Sequence, residues 1–115
     1  KDLVDRIEHY VESNLAGDNS IAAICKQFSI SQPYLSKIFR KAMNCTYIEY
    51  LTDVKIQKAK ELLINRQDLL INDIASQLGF SDQFYFSKVF KSEEGCTPSE
   101  YRKKVISESG YALTH

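Results

Sequence analysis

Tyr34-Leu35-Ser36-Lys37-Ile38-Phe39 and Tyr85-Phe86-Ser87-Lys88-Val89-Phe90 decide how this chain folds. They share Tyr, Ser, Lys and Phe at an offset of 51 (34 to 85), and the agreement spreads outward in register. Ile21 and Ile24 match Ile71 and Ile74. Cys45-Thr46 matches Cys96-Thr97, and Glu49-Tyr50 matches Glu100-Tyr101. The second copy carries one extra residue in its turn. A correspondence this dense marks one supersecondary unit used twice.

Each copy reads as a short helix, a tight turn and a second amphipathic helix, which is the helix-turn-helix pattern. In the first, about 20–44, Ser20 fits an N-cap over Ile21, Ile24, Cys25 and Phe28. Ser29–Ser31 turns the chain, Pro33 suits a first helical turn, and Leu35, Ile38, Phe39 and Ala42 recur at helical spacing. Asn44 suits a left-handed close. The second copy spans about 71–95. Gly79 supplies permissive backbone to its turn, whereas Ser29 holds that place in the first copy and predicts mild strain or a different turn.

Upstream, Leu3, Ile7, Val11 and Leu15, with Val4, predict an amphipathic helix stopped by Gly17 and Asn19. Thr46-Tyr47-Ile48-Glu49 is a capping-box pattern opening a connector helix over about 46–65, and Thr97-Pro98-Ser99-Glu100 repeats it. The connector's apolar side rotates. Tyr47, Tyr50, Leu51 and Val54 share one side; Ile56, Ala59 and Leu63 lie about a third of a turn away. That shift suits a helix serving two small cores. No stretch alternates as a strand does, so the expected class is all-α.

Composition narrows the function. The 115 residues, 43% hydrophobic and 26% charged, make one ordinary domain with enough apolar side chain for a core. No apolar run approaches the ~18 residues of a membrane span, and no secretory leader is expected. The start at Lys1 suggests a piece of a longer chain. Formal charge is zero, but residues 26–60 hold seven basic and two acidic side chains between more acidic flanks. A local basic surface is therefore compatible with a neutral whole. Cys25, Cys45 and Cys96 form no close ligand pair, and only His9 and His115 could join them. They read as reduced thiols, with Cys25 in a core and Cys45 and Cys96 as small packing residues; no metal or cofactor is expected.

The candidate site is the face of each second helix opposite its apolar stripe. In the first copy it carries Gln32, Pro33, Ser36, Lys37, Arg40 and Asn44; in the second, Gln83, Phe84, Ser87, Lys88 and Lys91. Gln addresses adenine edges, Arg and Lys address guanine or neutralise phosphates, and Phe can touch a thymine methyl. Phe84 has two readings: contact with a base, or folding back on Phe80 or the last helix. Tyr34 and Tyr85 edge these faces, and Thr46 and Thr97 cap the following helices; all four are phosphate-contact candidates, with packing or capping as the alternative. Tyr50, Tyr101, Phe28, Phe39, Phe80, Phe86 and Phe90 are expected to pack.

Gly79-Phe80-Ser81-Asp82-Gln83-Phe84-Tyr85-Phe86-Ser87-Lys88-Val89-Phe90-Lys91, then Gly95-Cys96-Thr97-Pro98-Ser99-Glu100-Tyr101-Arg102, resembles the signature of the AraC/XylS-type transcription regulators. The first copy and Ala59-Lys60-Glu61-Leu62-Leu63 resemble that family too, so the likeness covers about residues 3–104. It implies seven helices over 1–106, two helix-turn-helix subdomains joined by a long helix, and second helices placed in successive major grooves. It also implies a bacterial, cytoplasmic regulator of transcription, commonly an activator that can touch RNA polymerase. Its N-terminal partner domain would bind an effector or be a receiver. Lys55 stands where the family often has Arg, Met43-Asn44 replaces a more usual pair ending in Gly, and 107–115 has no family counterpart and is expected to fray. The resulting expectation is sequence-specific binding of double-stranded DNA, without catalysis or membrane. The alternative class is an all-helical protein-interaction module.

Overall fold

A computed structural model describes residues 2–109. Among the described residues the chain forms seven helices: α1 (Asp2–Glu12), α2 (Ile21–Phe28), α3 (Gln32–Met43), α4 (Tyr47–Asn65), α5 (Ile71–Gln77), α6 (Gln83–Glu94) and α7 (Pro98–Ser109). The expected all-α, seven-helix class holds.

Local chemistry sets these boundaries. The Ser20 hydroxyl accepts from the Ala23 N–H and starts α2. Ser31 does the same for α3 through the Tyr34 N–H, and the Asp82 carboxylate for α6 through the Tyr85 N–H. Both capping boxes form. Glu49 Oε1 accepts from the Thr46 N–H at 2.9 Å while Thr46 Oγ1 accepts from the Glu49 N–H at 3.0 Å. The Thr97–Glu100 pair repeats this at 2.9 and 3.2 Å. Asn44 closes α3 at φ 56°, as its residue type suggests.

Ser29 resolves the question of its turn. It adopts φ 56°, the left-handed region that Gly79 occupies at φ 79° in the second copy. The Ile30 and Phe80 N–H groups, at equivalent places, donate back to the carbonyls of Cys25 and Ala75 at 3.0 Å. The turn geometry is thus kept, and Ser29 carries a steric cost of about 1 kcal/mol that glycine avoids.

The chain divides into two compact units, one through Lys55 and one from Ile56. The first packs Val4, Ile7 and Val11 of α1, Ile24 of α2, Leu35 and Phe39 of α3, and Tyr47, Tyr50 and Leu51 of α4 into one core. The Tyr47 hydroxyl donates to the Asn19 carbonyl at 2.8 Å, and Asn19 Nδ2 donates to the Asn14 carbonyl at 2.8 Å. These bonds tie the loop between α1 and α2, while Asn19 Oδ1 is buried without a hydrogen-bond partner. Burial raises the Tyr47 and Tyr50 phenols far above their ordinary range, so both stay neutral donors.

The second unit buries Ile56, Ala59 and Leu63 of α4, Ile74 and Ala75 of α5, Leu78, and Phe86 and Phe90 of α6. A different device holds its loop. The Arg102 guanidinium donates to the carbonyls of Leu63 at 2.7 Å, Leu69 at 2.9 Å and Arg66 at 3.1 Å, joining the end of α4 to the loop that follows it. Tyr101 packs edge-on against Phe90 at 5.5 Å.

The buried side of α4 changes between Leu51 and Ile56, as the sequence rotation implies. Val4, Ile7 and Val11 are spaced as Ile56, Ala59 and Leu63 are, and all six are at most 3% exposed. The repeat therefore includes a leading helix in each copy. The second half of α4 takes the role in its unit that α1 takes in the first.

Two expectations are corrected. The first helix ends at Glu12, so Leu15 packs from a turn. Ala42 is exposed, because the buried stripe of α3 stops at Phe39. α7 runs through Ser109, into the stretch from 107 expected to fray; residues 110–115 lie outside those described.

Candidate nucleic-acid interface

On α3 the buried stripe of Leu35 and Phe39 fixes which side faces outward. Gln32, Pro33, Ser36, Lys37 and Arg40 are all exposed there, as are Tyr34 and, just beyond the helix, Asn44. Pro33 sits in the first turn, where its missing N–H would have had no helical partner. On α6, Phe86 and Phe90 are fully buried and fix the orientation in the same way. Phe84, Tyr85, Lys88 and Lys91 are exposed, and Gln83 and Ser87 are half-buried. Within its own unit, each helix thus offers a polar, basic side opposite its core.

Phe84 does not fold back. Its ring is 77% exposed, while the Phe80 ring is met by Tyr85 at 6.1 Å and Phe86 at 5.0 Å. Thr46 and Thr97 are half-buried and their hydroxyls serve the capping boxes.

The two faces differ electrostatically. α3 carries Lys37, Arg40 and Lys41 and no acidic residue of its own. Along α6, Lys88 and Lys91 are followed by Glu93 and Glu94, and Glu94 pairs with Lys60 at 3.2 Å. Arg40 and Lys91 occupy matching places near the next helix. Glu49 and Glu100 are held below the usual carboxylate range mainly by the Thr46 and Thr97 backbone N–H groups, with smaller help from Arg40 and Lys91 respectively. In the connector, burial lowers the Lys55 ammonium. Lys58 pairs with Glu61 at 3.5 Å, and Lys60 also lies over the Tyr101 ring at 6.0 Å.

Sequence reading missed Ser31 and Asp82 as caps that orient the first turn of each reading helix. The signal was present: both stand three residues before the paired tyrosines Tyr34 and Tyr85. Arg102 was also missed as a clamp, since its acceptors are backbone carbonyls distant in sequence. The three cysteines are free and half-buried. Among the described residues no group of three His, Cys, Asp or Glu could hold a metal ion, and no helix is long and apolar enough to cross a membrane.

A helix-turn-helix domain family model matches residues 24–104, most of the chain, including α3 and α6. The chain belongs to that family. Among curated proteins it is 35% identical to the Msm operon regulatory protein of Streptococcus mutans over 91% of this chain and 37% of the relative. It is also 35% identical to the arabinose operon regulatory protein of Escherichia coli, over 81% of this chain and 32% of the relative. The chain thus spans about a third of the curated relatives it matches. Among solved structures, the C-terminal domain of AraT, a response regulator from Geobacillus stearothermophilus, superposes with a TM-score of 0.85 at 30% identity, covering 90% of this chain and 86% of that one. This helix-turn-helix domain is therefore homologous to the AraC/XylS-type regulators, in the part that corresponds to their C-terminal DNA-binding domain.

Proposed function

We propose that the chain binds double-stranded DNA sequence-specifically and serves transcription regulation as the DNA-binding unit of a longer bacterial regulator. One observation carries this reading: two helix-turn-helix units, repeated in register, each turn an exposed polar and basic helix face away from a closed apolar core. In each unit the N-terminal half of the second helix addresses base edges. Gln32, Pro33, Ser36 and Lys37 do so on α3, and Gln83, Phe84, Ser87 and Lys88 on α6. Arg40 and Lys91 extend each face toward the backbone or a further base. Tyr34, Tyr85 and the helix starts at Thr46 and Thr97 are placed at phosphates. No step is catalysed. The rest of the native protein would carry an effector-binding or receiver domain, and contact with RNA polymerase would follow DNA binding in the cytoplasm.

Selection from random duplexes, followed by titration across salt, tests the reading. A preferred site should emerge, with affinity falling steeply between ~50 and ~200 mM salt as counterions are released. A chain that enriches no sequence and retains no duplex at low salt would instead be a protein-interaction module.

A further inference from the structure

We propose that Phe84 reads a thymine 5-methyl group, so that the DNA segment addressed by α6 depends on thymine through an apolar contact that α3 does not make. The proposal rests on the DNA-binding reading above and deepens it. Phe84 is the second residue of α6, at the end of a recognition helix that approaches base edges. Its ring is 77% exposed, whereas Phe86 and Phe90 of the same helix are fully buried. Phe80 meets Tyr85 and Phe86, and Phe90 meets Phe86 and Tyr101. A large apolar side chain therefore stands in water between Gln83 and Lys88, on the face meant for the groove. The major groove offers an apolar group on its base edges only where thymine carries its C5 methyl. In the first copy Pro33 holds the equivalent place, with a smaller, rigid ring above Lys37 and Arg40.

The test replaces each thymine of the selected site singly by deoxyuridine, which removes the methyl and keeps base pairing. Binding is measured for the wild-type chain and for Phe84→Ala, whose fold is checked by circular dichroism. Burying one methyl is worth a factor of about four in affinity. One or two substitutions should therefore weaken the wild type about fourfold each, and Phe84→Ala should bind the thymine and uracil duplexes alike. Pro33→Ala, as a control on α3, should leave the discrimination intact. A wild type indifferent to every substitution overturns the proposal, as does a Phe84→Ala variant that keeps the same thymine preference. If the wild type binds no duplex, the DNA-binding reading itself falls and takes this proposal with it.

Discussion

At Ser29 the side chain and the backbone it must adopt conflict. A left-handed φ of 56° costs a serine what glycine does not lose, and the equivalent Gly79 shows the unstrained solution. Ser29→Gly is expected to raise stability by up to ~1 kcal/mol, offset in part by greater unfolded-state entropy, with DNA affinity unchanged. Urea unfolding checks the first expectation; a lower midpoint would contradict the strain. Among the exposed residues, Arg40 and Lys88 distinguish readout from charge. If each makes a bidentate base contact, alanine there costs ~1–3 kcal/mol in binding and relaxes preference at one position. Selection of random duplexes by Arg40→Ala, Lys88→Ala and Lys58→Ala decides. The Lys58 variant should keep the preferred sequence. An unchanged sequence for both of the others would leave specificity to Gln32, Ser36, Gln83, Phe84 and DNA shape. Lys60 is a poorer control, because its alanine variant also loses the Glu94 pair and the Tyr101 ring contact.

The helices start in the same way in both units, and this has a pH consequence. Glu49 and Glu100 are held below the usual carboxylate range, first by the backbone N–H groups of Thr46 and Thr97. A depressed folded-state pKa contributes stability that is present above the ordinary glutamate value of about 4.3 and lost as pH falls through the folded value. Glu8 acts oppositely, because burial first, then Asp5 and Glu12, raise it. The doubly substituted E49Q/E100Q chain keeps the capping geometry, since Gln also serves in the box. Its stability is expected to fall less between about pH 4.5 and pH 3 than that of the wild type. Melting temperatures across that range measure it, and parallel slopes would remove the two glutamates from the acid response. By contrast, the loops after the leading helices are held by different chemistry. Tyr47 and Asn19 tie one, and Arg102 ties the other, so the two copies have kept their architecture without keeping these bonds.

For the whole molecule, the proposed reading gives one chain two helices, α3 and α6, that address DNA. The helix shared by the units has 19 residues, roughly 28 Å at 1.5 Å per residue. That is comparable to the ~34 Å separating successive major-groove segments on one side of a duplex. One chain is therefore expected to protect two successive major grooves, with some bending of the DNA. Hydroxyl-radical footprinting on the selected site checks this. Protection confined to about five base pairs would mean that only one unit reads DNA.

The sequence by itself determined the helical class, the two helix-turn-helix units, both capping boxes, the left-handed close at Asn44 and the rotation of the apolar side along α4. These are local or periodic properties, set by residues a turn or two apart and reinforced by the repeat. Only the tertiary structure decided which of the remaining residues were committed. Ala42 has the spacing of a core residue, but nothing covers it once the stripe of α3 ends at Phe39. Phe84 and Phe86 are the same residue type two places apart, and 100° of helical rotation per residue sends one to water and the other to the core. Arg102 carries no local sign of what it holds. Its role depends on backbone carbonyls up to 39 residues away, and no local pattern encodes a contact whose partner is set by how the chain packs.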